Sequence, residues 1–279
     1  MRGADEGPSR AVLLHQLGRS PDEVAIFSLP SPLLPWFALV LGAIFASLAQ
    51  ALIREGPVGG VLSVALFLGL FVALLFPRKL VVGDDGLLLI WIGARFVPYK
   101  NIEYVETSDG FFLKSPGINV ALRDGSALDF STSVFKERWL ERDALLQLIR
   151  VVVSESAHKS APRTPDALLR AGREHLVWAN GLRALGAGAN LDARTPVVPV
   201  EDLLRVAENP VAAPIDRAAA FVVLLANDNP DISSRLRFAV DHTAQPETRA
   251  ALEGALDARG DEHAIAAVLA LLESRSEKR

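Results

Sequence analysis

The chain has 279 residues, half of them hydrophobic and 22% charged, with a net charge of −4 and no cysteine. Length and apolar content indicate about two domains of ~150 residues and exclude wholesale disorder. The missing cysteine excludes a disulfide framework, a thiolate nucleophile and a cysteine zinc site, and the slightly negative charge excludes a general attraction to nucleic acid.

Residues 1–32 are expected to be a cytoplasmic N-terminal segment. Their longest early apolar run, Ala11–Leu14, is too short for a signal-peptide core. Ser20, Pro21 and Glu23 fit an N-cap, a first-turn proline and a capping-box glutamate, predicting a short helix that ends by Pro30. Leu33–Ile53 then runs for 21 residues without a charge, and Val58–Phe76 for 19. At about 1.5 Å per residue each run matches a bilayer core of about 30 Å, which predicts a transmembrane helical hairpin over 33–76. Arg19, Arg78 and Lys79 flank one side and Arg54 alone sits in the turn, so the positive-inside rule places both termini in the cytoplasm of a multi-pass inner-membrane protein. Gly42 and Ala46 in the first run, with Ala65, Gly69 and Ala73 in the second, have the four-residue spacing that lets helices pack closely, within the hairpin or in a homo-oligomer.

From residue 79 short apolar runs alternate with turn signals. The expected strands are Leu80–Val82, Leu87–Ile92, Arg95–Pro98, Asn101–Glu106, Phe111–Lys114, Ile118–Arg123 and Ala127–Ser131. Asp-Gly pairs between several of them suit tight hairpins. Ile118, Val120 and Leu122 alternate with polar residues, as a half-buried strand requires. Phe135–Val153 is an amphipathic helix with Leu145, Leu148, Ile149 and Val152 on one stripe. Seven strands and a helix over 79–155 suggest a small barrel plugged by its last helix.

Two transmembrane helices feeding such a segment resemble the bacterial PH-domain membrane proteins. Gly86–Trp91 is similar to that family's second strand, and Val97-Pro98-Tyr99-Lys100-Asn101-Ile102 with Val105 is similar to its signature. The resemblance covers residues 30–155 and implies a PH-like barrel on the cytoplasmic face; it implies no single activity. The first turn, Asp84-Asp85-Gly86, is acidic and repels phosphate headgroups. Arg78, Lys79 and Arg95 are the candidate membrane-surface contacts, at about 1 kcal/mol each.

Residues 156–164 read as a linker, and 165–279 as an all-α domain. Its candidate helices are Pro165–Leu185, Pro199–Ala207, Ala213–Leu225, Ile232–Thr243, Glu247–Ala258 and Glu262–Ser274. Asp216–Ala220 and Glu247–Ala251 are weakly self-similar, which is similar to HEAT-like repeats and makes a solenoid an alternative to a plain bundle.

No two of His15, His158, His175, His242 and His263 lie three or four apart, so no helix offers a metal pair, and all five read as surface or helix-end residues. Gly181–Gly188 lacks the strand and the Lys-Ser/Thr ending of a phosphate loop. No nucleophile elbow or acid–base carboxylate pair stands out. The expectation is therefore a protein without catalytic, metal or cofactor residues. It is a multi-domain membrane protein made of a transmembrane hairpin, a PH-like barrel and an all-α domain. It acts as a scaffold or adaptor that binds membrane lipids as an integral protein and takes a protein partner through the helical domain. The alternative is a lipid-interacting, membrane-assembling or membrane-sensing module working through the PH-like domain.

Overall fold

Antiparallel pairing organises the first half of the chain. The computed structural model describes residues 9–20, 24–29, 42–43, 50, 78–91, 93–109, 116–132, 139–188, 198–227 and 229–276. By its contacts the chain divides into a sheet unit, which ends at Val153, and a helical unit from Ser154 onward. The short segments at Val24 and Gly83–Gly86 count with the helical unit.

The sheet unit starts with a short helix α1 (Arg10–Gln16). Strands β1 (Ala25–Leu29), β2 (Arg78–Val82), β3 (Gly86–Ile90) and β4 (Ala94–Pro98) form one antiparallel sheet in that order. A 3-10 turn at Tyr99–Asn101 leads into β5 (Ile102–Asp109), β6 (Pro116–Leu122) and β7 (Ala127–Ser131), which form a second. Helix α2 (Trp139–His158) follows. Leu145, Leu148, Ile149 and Val152 of α2 share a core with Leu13 and Leu14 of α1, Leu80, Val97, Ile118, Val120 and Phe130. Arg150 clamps helix to sheet, its Nε and Nη2 donating to the Val105 carbonyl at 3.1 and 2.8 Å.

Three expectations are corrected. First, the segment expected to be helical before Pro30 contains strand β1. Its alternating burial and its full register with β2, from Ala25 opposite Val82 to Leu29 opposite Arg78, outweigh the capping pattern at Ser20–Glu23. Second, the described strands form two separate ladders and no closed barrel. With strands this short, the apolar stripe of α2 covers the core where closure was expected. Third, no helix among the described residues is long and apolar enough to cross a membrane. The longest, α2, has twenty residues but carries Glu141, Arg142, Asp143, Arg150 and Glu155. The expected spans 33–53 and 58–76 lie outside the described residues except for Gly42, Ala43 and Gln50, all exposed. The fold class of a transmembrane hairpin with a barrel, and the multi-pass inner-membrane localisation, are withdrawn on these findings.

The helical unit contains a 3-10 turn (Asp166–Leu168) and helices α3 (His175–Gly186), α4 (Val200–Glu208), α5 (Pro214–Leu225), α6 (Pro230–Asp241), α7 (Pro246–Asp257) and α8 (Glu262–Ser276). Proline stands in the first turn of α5, α6 and α7, where its missing N–H costs nothing. Asn229 caps α6 by accepting from the Asp231 N–H at 2.9 Å. The expected helix Pro165–Leu185 breaks at Ala171 and Gly172, both at positive φ. The expected linker is partly helix, because α2 runs on to His158.

Every residue of α5 from Arg217 to Leu225 is buried, and α5 packs against α3, α4, α6, α7 and α8. Helix α3 also packs on α8. A solenoid stacks each repeat on its neighbours alone; here the first and last helices of the set meet around a central one. The unit is a closed bundle, and the solenoid alternative is withdrawn. The two similar segments are not equivalent either: Arg217 is 3% exposed, whereas Arg249 is exposed and pairs with Glu253 at 2.8 Å. Close packing fixes Gly186, where a Cβ would overlap the Val223 carbonyl oxygen on α5.

Candidate functional site

Arg217 follows Asp216 and precedes eight apolar residues in α5, and it is almost fully buried. Burying a guanidinium is tolerable only when its donors are satisfied. Its Nε donates to the Ala207 carbonyl in the last turn of α4 at 3.1 Å, where the helix dipole favours a cation. Its Nη2 donates to the Thr243 hydroxyl at 3.1 Å, and that hydroxyl donates to the Ala239 carbonyl at 2.8 Å. Arg217 therefore fixes the α6–α7 junction, His242–Gln245, to the end of α4.

The junction holds a carboxylate. Helix α7 has no side-chain cap of its own, because Gln245 does not cap it. Asp85 instead holds the two residues that lead into it: Oδ1 takes the Ala244 N–H at 2.6 Å and Oδ2 the Gln245 N–H at 3.0 Å. The Asp84 N–H donates to the His242 carbonyl at 2.8 Å. Gly83 must be glycine here, since a Cβ would lie 2.5 Å from the Ala244 Cβ and 2.9 Å from the His242 oxygen. Burial raises the Asp85 pKa; its two N–H bonds and the Arg217 charge oppose that shift without cancelling it. Burial likewise lowers the pKa of Arg217, against the attraction of Asp85 and Asp84.

Beside the junction, Phe238 is 47% exposed and stacks on the His242 ring at 3.8 Å between centroids. His242 is buried, its Nδ1 donating to the Phe238 carbonyl at 2.9 Å, while its Nε2 is buried without a partner. His242 is thus a helix-end residue, the C-cap of α6, but a buried one. His175, at the start of α3, joins Glu273 of α8 at 2.7 Å, and Arg170 holds the other oxygen of that carboxylate at 3.0 Å.

A cleft of about 410 Å³ opens among α3, α5 and the α7–α8 turn. Val222, Leu225 and Ile265 contribute its apolar wall and Arg183, Arg259 and Glu262 its charges. Arg183 is already bonded to Glu262 at 2.6 Å. The carbonyl ends of α3, α5 and α7 converge there, so the helix dipoles offset the guanidiniums. Among the described residues, no three His, Cys, Asp or Glu side chains gather as metal ligands do.

The sequence-predicted residues are dispersed. Arg78 is half-buried, with its guanidinium 4.3 Å from the Trp91 ring centroid and its Nε buried without a partner. Lys79 is exposed on β2, and Arg95 is exposed and donates to Ser126 Oγ at 3.3 Å. Gly42 is exposed; Ala46, Ala65, Gly69 and Ala73 lie outside the described residues. Sequence reasoning missed Arg217, Thr243, Asp85 and Phe238 as a group. The available signal was an arginine directly ahead of eight apolar residues.

No family model matches this chain, and no curated protein or solved structure matches it either.

Proposed function

We propose that this protein is a non-enzymatic adaptor whose helical unit takes a protein partner. Phe238 carries the reading. It is a large aromatic side chain, half exposed, on a bundle whose core is already filled. The buried His242 ring beneath it limits its rotamers, so little entropy remains to be lost on binding. Rigid exposed aromatics are the side chains that dominate interface energies.

The kinship with bacterial PH-domain proteins is proposed for the sheet unit alone. Its support is the order of seven strands and a helix, with Tyr99, Ile102 and Val105 of the signature filling the core.

The test is photo-cross-linking of the full chain in its native lysate, beside a Phe238→Ser variant. The expected result is a discrete cross-linked partner that the variant loses while its circular dichroism melt is unchanged. Equal capture by both chains, or no discrete partner for either, overturns the adaptor reading.

A further inference from the structure

We propose that the cleft among α3, α5 and the α7–α8 turn is a binding site for a free α-amino acid with an apolar side chain. The proposal goes beyond the adaptor reading and does not depend on Phe238.

The cleft has the size of a small-ligand site: its volume of about 410 Å³ falls in the range of about 300–1,000 Å³ that such sites occupy. One polar group in its wall lacks what a ligand would bring. Asn180 of α3 lines the cleft, and its Oδ1 is buried without a hydrogen-bond partner. An acceptor buried unpaired destabilises a fold, and in a helix interior asparagine is also a poorer helix former than alanine. The fold gains nothing from this carboxamide, whereas a ligand N–H gives it a partner.

The charges narrow the ligand further. The carbonyl ends of α3, α5 and α7 meet at the cleft, so the backbone favours a positive group there. Asn180 Oδ1 accepts from the same kind of group, and an ammonium satisfies both. Among the lining side chains Arg183 and Arg259 outnumber Glu262, and the Arg183–Glu262 contact at 2.6 Å runs from Nη1 to Oε1. A carboxylate therefore meets complementary charge, in the form it pairs with best, a guanidinium. Val222, Leu225 and Ile265 make the apolar wall, against which an apolar side chain packs. A simple amine leaves the arginines unmatched, and a simple fatty acid leaves Asn180 unmatched. Ammonium, carboxylate and apolar side chain on one small skeleton describe an apolar α-amino acid.

The test titrates L-leucine, L-valine and L-phenylalanine into the full-length chain by calorimetry, beside the rise in melting temperature that a ligand of the folded state produces. The expected result is saturable binding of at least one of the three. Its N-acetyl derivative, which has no ammonium, and its amide, which has no carboxylate, should each bind at least about tenfold more weakly. Asn180→Ala should weaken binding to the same degree while melting, without ligand, no lower than wild type. Absence of saturable binding for all three amino acids overturns the proposal, and so does an N-acetyl derivative or an amide that binds as tightly as the free amino acid. An Asn180→Ala chain that binds as wild type does, or that melts well below it, makes the carboxamide a structural group and overturns its assignment to the ligand.

Discussion

Replacing Arg217 by methionine tests the organisation of the helical unit most directly. Methionine fills much of the same volume but donates no hydrogen bond. The Ala207 carbonyl loses its Arg217 donor and the Thr243 hydroxyl loses its donor. Asp85 keeps its two N–H bonds but loses the buried charge that favours its ionised form. Hydrogen bonds to a charged donor contribute about 1.5–3 kcal/mol each, so losing both makes the expected destabilisation of Arg217→Met about 3–6 kcal/mol. Asp85→Asn alone should cost less, about 1–3 kcal/mol, because one of the two N–H groups then faces an amide NH₂. In the double variant the carboxylate no longer lacks its guanidinium, so the two costs should fall short of additivity by about 0.5–3 kcal/mol. Urea unfolding followed by circular dichroism at the helical signal measures all four corners of the cycle. Strict additivity, or an Arg217→Met chain within 0.5 kcal/mol of wild type, refutes the idea that this arginine organises the junction and is coupled to Asp85.

Three further outcomes are expected. The folded chain binds the Asp85 proton more tightly than the unfolded chain does, because burial raises its pKa from the ordinary 3.8. Between that value and the raised one, folding takes up a proton, so the Asp85 contribution to stability falls as pH rises and is largest below 3.8. Subtracting the pH profile of Asp85→Asn isolates this slope, and a difference that is flat or opposite in sign refutes it. Gly186→Ala should cost about 3 kcal/mol, because its Cβ meets rigid backbone on α5, and a melting temperature equal to wild type would contradict the close helix contact. Excising residues 30–77 and joining Leu29 to Arg78 through a four-residue turn should leave a cooperatively folded chain. Loss of the cooperative sheet signal refutes the pairing of those two residues.

Local chemistry explains what was legible in the sequence. Helices α5, α6 and α7 were legible from helix-length apolar patterns, although Pro230 and Pro246, which open α6 and α7, fell outside the expected bounds. Strands β6 and β7 were equally plain, since Ile118, Val120, Leu128 and Phe130 alternate with polar neighbours and are all buried. Strand β1 was misread because its partner lies on the far side of residues 30–77, and only that partner decides between strand and helix for Ala-Ile-Phe-Ser-Leu. The acidic turn at Asp84-Asp85 was read for what it would repel; its actual use, as acceptor for two N–H groups beside residue 244, leaves no trace in local sequence. The placement of the Arg78 guanidinium over Trp91 is equally invisible in local sequence. Periodicity reports which face is buried, and it is silent on which distant group completes a buried charge.

The register of β1 with β2 also sets a schedule. Leu29 is made before any of residues 30–77, and its partner Arg78 comes 49 residues later. At about 5–20 residues per second, β1 waits roughly 2–10 s on the ribosome with no β2 to pair with. For that interval its apolar residues and open backbone edge are available to whatever is nearby. The strand that the sequence hides most completely is therefore also the one whose pairing the growing chain must postpone longest.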